Sequence, residues 1–430
     1  MRTADQTPPP VTGHRPPRPP GWGADLWVAI ERLPVTAYHW SDYTSVWDAP
    51  GSKYRWDDWT AANAFTDATC DVSGLDIELG APDDEGRVDA GHLVFTLAND
   101  DGRWSQYDPF GRLVAYEPGS RVYVWATIAG VAWWLFAGVV AAWREGTDAT
   151  VEVEAFDASS DLNVSVGEWL PGTVGQRAHD RIAAILSLIG YPGPRRLDVG
   201  TVTLLAYTTT ATPLEEMQAV ATSDGGYVAV DADGTFLYRS RSWTAGRTDQ
   251  TRIVVFSDTV CNVDAVVWDL ELVTDDQLLL TDVQLTNLDK VVAQRQVTAT
   301  RRYPFARAGD QWITAAEGSG LVDYLLARRT DSYLRVDGFT LHLTAPSQDL
   351  WRIGIDLRVG DLVRLLHDQP AVGGVDRIDL NLVVQAVTHR ITPDAWTVEV
   401  ATTRATGNNV IYRWGGPGML WDRDPARWGN

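Results

Sequence analysis

The sequence predicts a mainly β chain with α+β modules, in which two small antiparallel β-barrels are separated by α+β segments. Three observations predict it. Residues 71–161 divide into short alternating apolar runs, such as DVSGLDIELG, GHLVFTLANDDGRW and VEVEAFD, about ten positions apart and closed by turn residues. The period then becomes helical near residue 178. Strand-like runs return after residue 250, among them VDAVVWDLELV, DVQLTNLDKVVAQRQVTAT, LNLVVQAVTHRITP and AWTVEVATTRA.

Composition bounds the possibilities. A chain of 430 residues, 45% hydrophobic, makes about two to four domains with ordinary packed cores. No apolar run reaches the length of about eighteen residues that a membrane-spanning helix needs, so no transmembrane segment is expected. A net charge of −21 opposes stable nucleic-acid binding through phosphate neutralisation. Cys70 and Cys261 are too few for a disulfide framework or a zinc site, and both sit in β-like sequence where a buried free thiol is expected. The scarcity of lysine (Lys53 and Lys290) beside abundant Arg, Ala and Trp points to a high-GC coding sequence.

Taken in order, residues 1–23 form a Pro-rich arm, extended and semi-rigid or simply disordered. It has no apolar core of a secretory signal. Residues 24–60 hold a first strand and an aromatic insertion with Trp40, Trp47, Trp56 and Trp59 interleaved with aspartates. Such a segment suits a protein interface, where Trp and Tyr are favoured anchors, or a sugar-binding face. Residues 61–164 form the first barrel. Its turn at Asn99, Asp101 and Gly102 lacks the ligand spacing of a calcium loop and reads as structural.

Residues 165–249 form an α+β module. Ile182, Ile185, Leu186 and Ile189 lie at helical spacing, and Gly190 and Pro192 end that helix. A second helix starts at Thr212, with Pro213 in its first turn and Glu215 three residues after the cap, close to a capping box. A hairpin follows, turning at Asp233-Gly234. Residues 250–405 form the second barrel, with an inserted helix at about 314–330 carrying Leu321, Tyr324, Leu325 and Arg328; a turn at Gly360 precedes another strand. Residues 406–430 form a Trp-, Gly- and Arg-rich arm that cannot bury Trp414, Trp421 and Trp428 alone. They are expected to dock on a neighbouring subunit or another protein, or else to fold back on their own chain.

The order of these pieces resembles the hub proteins at the tail tip of tailed bacteriophages, especially those infecting actinobacteria. The resemblance covers about residues 24–405. It rests on the turn Asn99 to Arg103, the strands at Pro118 to Val122 and Leu135 to Val139, and the closing Ala155 to Asp157. The "DGG" ahead of the Asp-Gly hairpin, Thr286-Asn287, the helix near Ala327, Val359 to Val363 and His389 to Trp396 extend it. Val359 stands where that family usually has isoleucine, a trivial physical change. The resemblance implies a structural protein of a siphovirus virion, located at the tail tip and assembled in the host cytoplasm. It also implies a homotrimer whose six barrels match a sixfold tube. Expected partners are the distal tail, tape-measure and tip or fibre proteins, and a host cell-surface glycan is a further candidate.

No catalytic or cofactor-binding motif is present. His14, His39, His92, His179, His342, His367 and His389 are dispersed, and no H-E-x-x-H, G-x-S-x-G, C-x-x-C or Walker-type loop occurs. No enzyme activity, cofactor or metal is expected. A glycosidase pair needs no local motif, but so many acids make any chosen pair uninformative. The rival readings are a distal tail ring protein, a host-glycan-binding tail protein and a tail-associated cell-wall hydrolase.

Overall fold

The computed structural model describes residues 8, 22–31, 65–80, 89–106, 116, 118–246, 253–258, 263–273, 279–298, 302–329, 335–343, 347–371 and 374–405. The chain is mostly β. The first strands are β1 (Asp25–Glu31), β2 (Phe65–Asp67), β3 (Val72–Gly80), β4 (His92–Ala98), β5 (Arg121–Ile128), β6 (Val131–Glu145) and β7 (Thr150–Asp157). They pair antiparallel in the order β3-β4-β7-β6-β5-β1-β2. Alternation decides which face is inside. β3 buries Leu75, Ile77 and Leu79 and exposes Asp76 and Glu78; β4 buries Leu93, Phe95 and Leu97. β6 departs from alternation, burying Trp133 to Ala137 consecutively, because its outer face is also covered.

The middle of the chain supplies β8 (Gln176–Arg177), α1 (Ala178–Leu188), β9 (Arg195–Leu197), β10 (Thr203–Leu204), α2 (Pro213–Asp224), β11 (Tyr227–Val230), β12 (Phe236–Arg239) and α3 (Arg241–Gly246). The sequence-predicted face of α1 is buried at Ile182, Ile185 and Leu186. α2 has the full capping box: the Thr212 hydroxyl accepts from Glu215 N, and the Glu215 carboxylate accepts from Thr212 N. It ends at Gly225 with φ 76°, a left-handed cap that glycine adopts without steric cost.

The remaining strands and helices are β13 (Val254–Ser257), β14 (Ala265–Val266), β15 (Trp268–Val273), β16 (Asp282–Asn287), β17 (Val292–Gln296), β18 (Pro304–Asp310), α4 (Ala315–Arg329), β19 (Arg335–His342), α5 (Gln348–Asp356), β20 (Leu362–Ala371), β21 (Gly374–Ile391) and β22 (Trp396–Arg404). Seven of them pair in the order β14-β13-β20-β21-β22-β19-β15. The 18-residue β21 also pairs with β3 over Ala386–Ile391, so the two β regions meet as one 14-stranded sheet.

Two cores result. One runs through both β regions, from Ala24 to Val400. The other joins α1, α2 and the β11–β12 hairpin to β16, β17 and α4. The excursion within the second β region is therefore larger than its helix. Residues 280–326 leave the sheet core and pack with residues 162–238.

One local expectation is corrected, and one helix lies where the sequence reading assigns no element. The segment ahead of Gly360 contains this helix, α5; Ser347 caps it and Trp351 and Ile355 are buried one turn apart. Cys70 is exposed in a 3₁₀ turn rather than buried in a strand. Cys261 lies outside the described residues.

Candidate functional site: turns, clasps and a three-way junction

The predicted turns are structural anchors, and two of the three meet. The exception is the turn at Asn99. Its Oδ1 accepts from Trp104 N at 2.7 Å, its Nδ2 donates to Ser105 Oγ at 3.0 Å, and Asp101 Oδ1 accepts from Arg103 N. Gly102 supplies the left-handed residue, with φ 73°. The turn seats Trp104, which is fully buried and donates from Nε1 to Asp71 Oδ2 at 2.8 Å. Tyr116 lies between Trp104 and Trp143, parallel to Trp143 at 5.2 Å between ring centres. This motif ties the end of β4 to β6 and to the turn before β3.

The Asp233-Gly234 hairpin and the Gly360 turn converge on one junction. In the hairpin, Gly234 N donates to Asp231 O, Thr235 N donates to Asp233 Oδ1, and Gly234 has φ 83°. A side chain added at Gly234 would meet the Ala137 methyl of β6 at 3.3 Å, so the hairpin tip rests on the first β region. Gly360 has φ 85°, and a β-carbon there would lie 2.2 Å from the Tyr227 hydroxyl. Both glycines are favoured by their dihedral, and Gly360 is required by close approach as well.

Arg358 closes the junction. Its Nη2 donates to Trp134 O of β6 at 2.7 Å, its Nη1 donates to Ile355 O and Leu357 O, and its Nε pairs with Asp231 of the hairpin at 3.2 Å. One guanidinium thus joins both β regions to the middle of the chain. With its side chain 12% exposed, these charge-assisted bonds are shielded from water. The clasp was not legible beforehand, since its partners are 127 and 224 positions away.

A second anchor holds the chain's beginning. Trp22 packs between Trp351 and Trp396 at 5.8 and 5.5 Å, and a β-carbon at Gly23 would land 2.0 Å from the Trp351 ring. Trp396 Nε1 donates to His389 Nδ1 at 3.3 Å. His389 is fully buried, and desolvation, with the nearby Arg358 charge, pushes its pKa down to about 3. It is a neutral core histidine.

The middle of the chain carries buried polar networks. Asp224, of the "DGG", accepts from Thr201 N, Thr201 Oγ1, Val202 N and the Tyr238 hydroxyl. Burial first, then the Asp224 charge, raises the Tyr238 pKa. Glu216 accepts from the Tyr207 hydroxyl and from Gln311 Nε2, while Arg181 donates to Thr173 O and Leu205 O. Asn287 donates to Trp312 O and accepts from Val291 N. The closing Asp157 accepts from Gly91 N and Ser159 N, and burial pushes its pKa up to about 6. These groups satisfy backbone amides and hold crossing segments in register.

Trp40, Trp47, Trp56, Trp59, Trp414, Trp421 and Trp428 lie outside the described residues. Among the described residues no cluster of three or more His, Cys, Asp or Glu is placed to hold a metal ion, and no helix is long and apolar enough to cross a membrane.

No family model and no curated protein matches the sequence. Solved structures do match. The fold is similar to that of the tail protein from Neisseria meningitidis MC58, with a TM-score of 0.55 and 13% identity over 77% of this chain and 92% of that one. It is also similar to the tail protein of prophage MuSo2 from Shewanella oneidensis, with a TM-score of 0.53 and 14% identity over 88% of this chain and 98% of that one. The class defined is thus a mainly β fold shared with these two tail proteins.

Proposed function

We propose that this protein is a structural hub, or minor tail protein, of a bacteriophage tail tip or baseplate. The observation that carries the proposal is the likeness in fold of 88% of this chain to 98% of the prophage MuSo2 tail protein. In this reading the two β regions are the two barrels of a hub subunit, set side by side along β3 and β21. Three subunits form a ring that caps the tail tube and contacts the distal tail, tape-measure and tip or fibre proteins. The ring opens for DNA passage.

The role is mechanical. Two β regions locked by one continuous sheet and one buried arginine make a stiff unit suited to bearing load. The −21 charge fits a lumen that repels passing DNA. A ring with an arginine-lined channel and carboxylates confined to its outer wall defeats that part of the proposal.

The test is the mass of the purified protein by light scattering, alone and with its neighbouring tail proteins. Three copies agree with the hub. Six favour a distal tail ring, and a single copy even with partners present favours the glycan-binding or hydrolase readings.

A further inference from the structure

The chain passes between the two cores after β7, β12, β15 and α4. Among the described elements, no helix or strand of the sheet core packs along one of the α+β core. The tip of the β11–β12 hairpin is where they engage. Val228, Val230, Phe236 and Tyr238 of this hairpin belong to the α+β core, yet Ala232, 1% exposed, is buried among the residues of the sheet core. Beside it, Gly234 rests on Ala137 of β6 and Asp231 pairs with Arg358.

The bonds of Arg358 are unevenly shared. Its Nη atoms are held by the carbonyls of Trp134, Ile355 and Leu357, all on the sheet side, and only the Nε pair with Asp231 crosses to the hairpin. The guanidinium therefore keeps three acceptors when Asp231 leaves. Asp231 keeps a partner too, because its Oδ1 accepts from Ala232 N within the hairpin turn. Parting a buried ion pair is usually prevented by the cost of an uncompensated charge, and here each side retains its own hydrogen bonds. Units that meet through a small, partly polar contact are expected to move relative to one another.

We propose that the hairpin tip is a latch, and that the α+β unit turns on the sheet when Asp231 leaves Arg358. The sheet keeps the socket, made of Arg358 and the surface around Ala137, while the hairpin carries the tongue, Asp231 to Gly234. The latch is a property of a single chain and stands or falls apart from the ring reading above.

The test is the distance between two spin labels on the full chain, with thermal melting as the control for folding. The labels sit at Asp76→Cys in β3 and Val292→Cys in β17, both exposed positions, and Cys70→Ser and Cys261→Ser remove the native thiols. The closed latch is expected to give one distance. Asp231→Asn removes the charge but keeps an acceptor for Ala232 N. It is expected to add a second distance in at least about a tenth of the molecules, with a melting temperature within about 5 °C of the wild type. Asp379→Asn cuts an exposed ion pair with Arg364 inside the sheet and is expected to keep the single distance. An unchanged single distance in Asp231→Asn overturns the latch. A second distance in Asp379→Asn overturns it too, because the motion then does not depend on the Arg358 pair. So does an Asp231→Asn melting temperature more than about 10 °C below the wild type, because the pair then holds the fold together and is no catch.

Discussion

The two cores of this molecule are built on different physics. The sheet core is rich in aromatics: Trp104, Trp351, Trp396, Phe95, Phe136 and Phe256 are all nearly or fully buried within it. The α+β core has an apolar centre too, but its segments are tied by buried Arg181, Glu216, Asp224, Asn287 and Gln311. Dispersion and desolvation tolerate small shifts, whereas a buried carboxylate with four donors fixes the position of each. The role proposed above calls for both properties, a sheet that transmits load and a middle whose register does not slip. The comparison says that truncation should hurt the first core most, and loss of a single polar partner the second.

Trp396→Ala is the largest expected effect. It removes one ring of a three-tryptophan cluster and the side-chain hydrogen bond to His389, for a loss of about 4 kcal/mol. Denaturant unfolding measures it, and a loss under about 1 kcal/mol would show that the cluster is not packed as described. Asp224→Ala is its counterpart in the other core. It leaves two amides and the Tyr238 hydroxyl without their acceptor, at about 3 kcal/mol. Asp224→Asn should fall between, because one carboxylate oxygen becomes an amide donor. Equal losses for the two variants would mean that charge, not hydrogen-bond count, is what matters there.

Burial raises a carboxyl pKa in both regions, at Asp157 of β7 and at Glu216 of α2. Asp157 has its pKa raised by burial from an ordinary 3.8 to about 6. Between those values the folded state holds a proton that the unfolded state has released, so stability falls as pH rises through this window. Its contribution is fully present below about pH 3.8 and lost above about pH 6, a swing of up to about 3 kcal/mol. Asp157→Asn should abolish this slope. If the wild type and the variant show parallel stability–pH curves from pH 4 to 7, the carboxyl is solvated and the buried geometry is wrong.

Arg358 is where the comparison can be broken, because it couples the two cores. Arg358→Ala is expected to cost about 2 kcal/mol and to raise amide exchange selectively in the 227–239 hairpin, while the β3–β4 ladder stays protected. Uniform loss of protection would instead mean that the hairpin is no separate unit. The sequence alone gave no warning of this residue. Alternation reveals strands because burial there is periodic, and caps such as Thr212–Glu215 are local. Arg358 looks like any surface arginine next to a turn, and it is buried only because Trp134 and Asp231 arrive from distant segments. Arg181 and Glu216 were hidden for the same reason, one helix position each on faces closed by Thr173, Leu205, Tyr207 and Gln311. The helix α5 was different. Its cap at Ser347 and its Trp351–Ile355 spacing are local signals, but nine residues between two strand-like runs are too short for a helical period to stand out.

The glycines give the finest contrast. Gly102 and Gly360 have left-handed φ values of 73° and 85°, so each makes alanine pay a conformational penalty of about 1 kcal/mol. At Gly102 nothing lies within 4 Å of an added β-carbon, and Gly102→Ala should show that penalty alone. At Gly360 the added carbon meets the Tyr227 hydroxyl at 2.2 Å and the Trp243 ring at 3.3 Å, so the turn must move away from the middle of the chain. Gly360→Ala should therefore exceed Gly102→Ala, and Tyr227→Phe should relieve the difference by removing the hydroxyl. Should the two alanine variants unfold at the same denaturant concentration, the Gly360 turn is not pressed against Tyr227, and the junction is looser than its distances state.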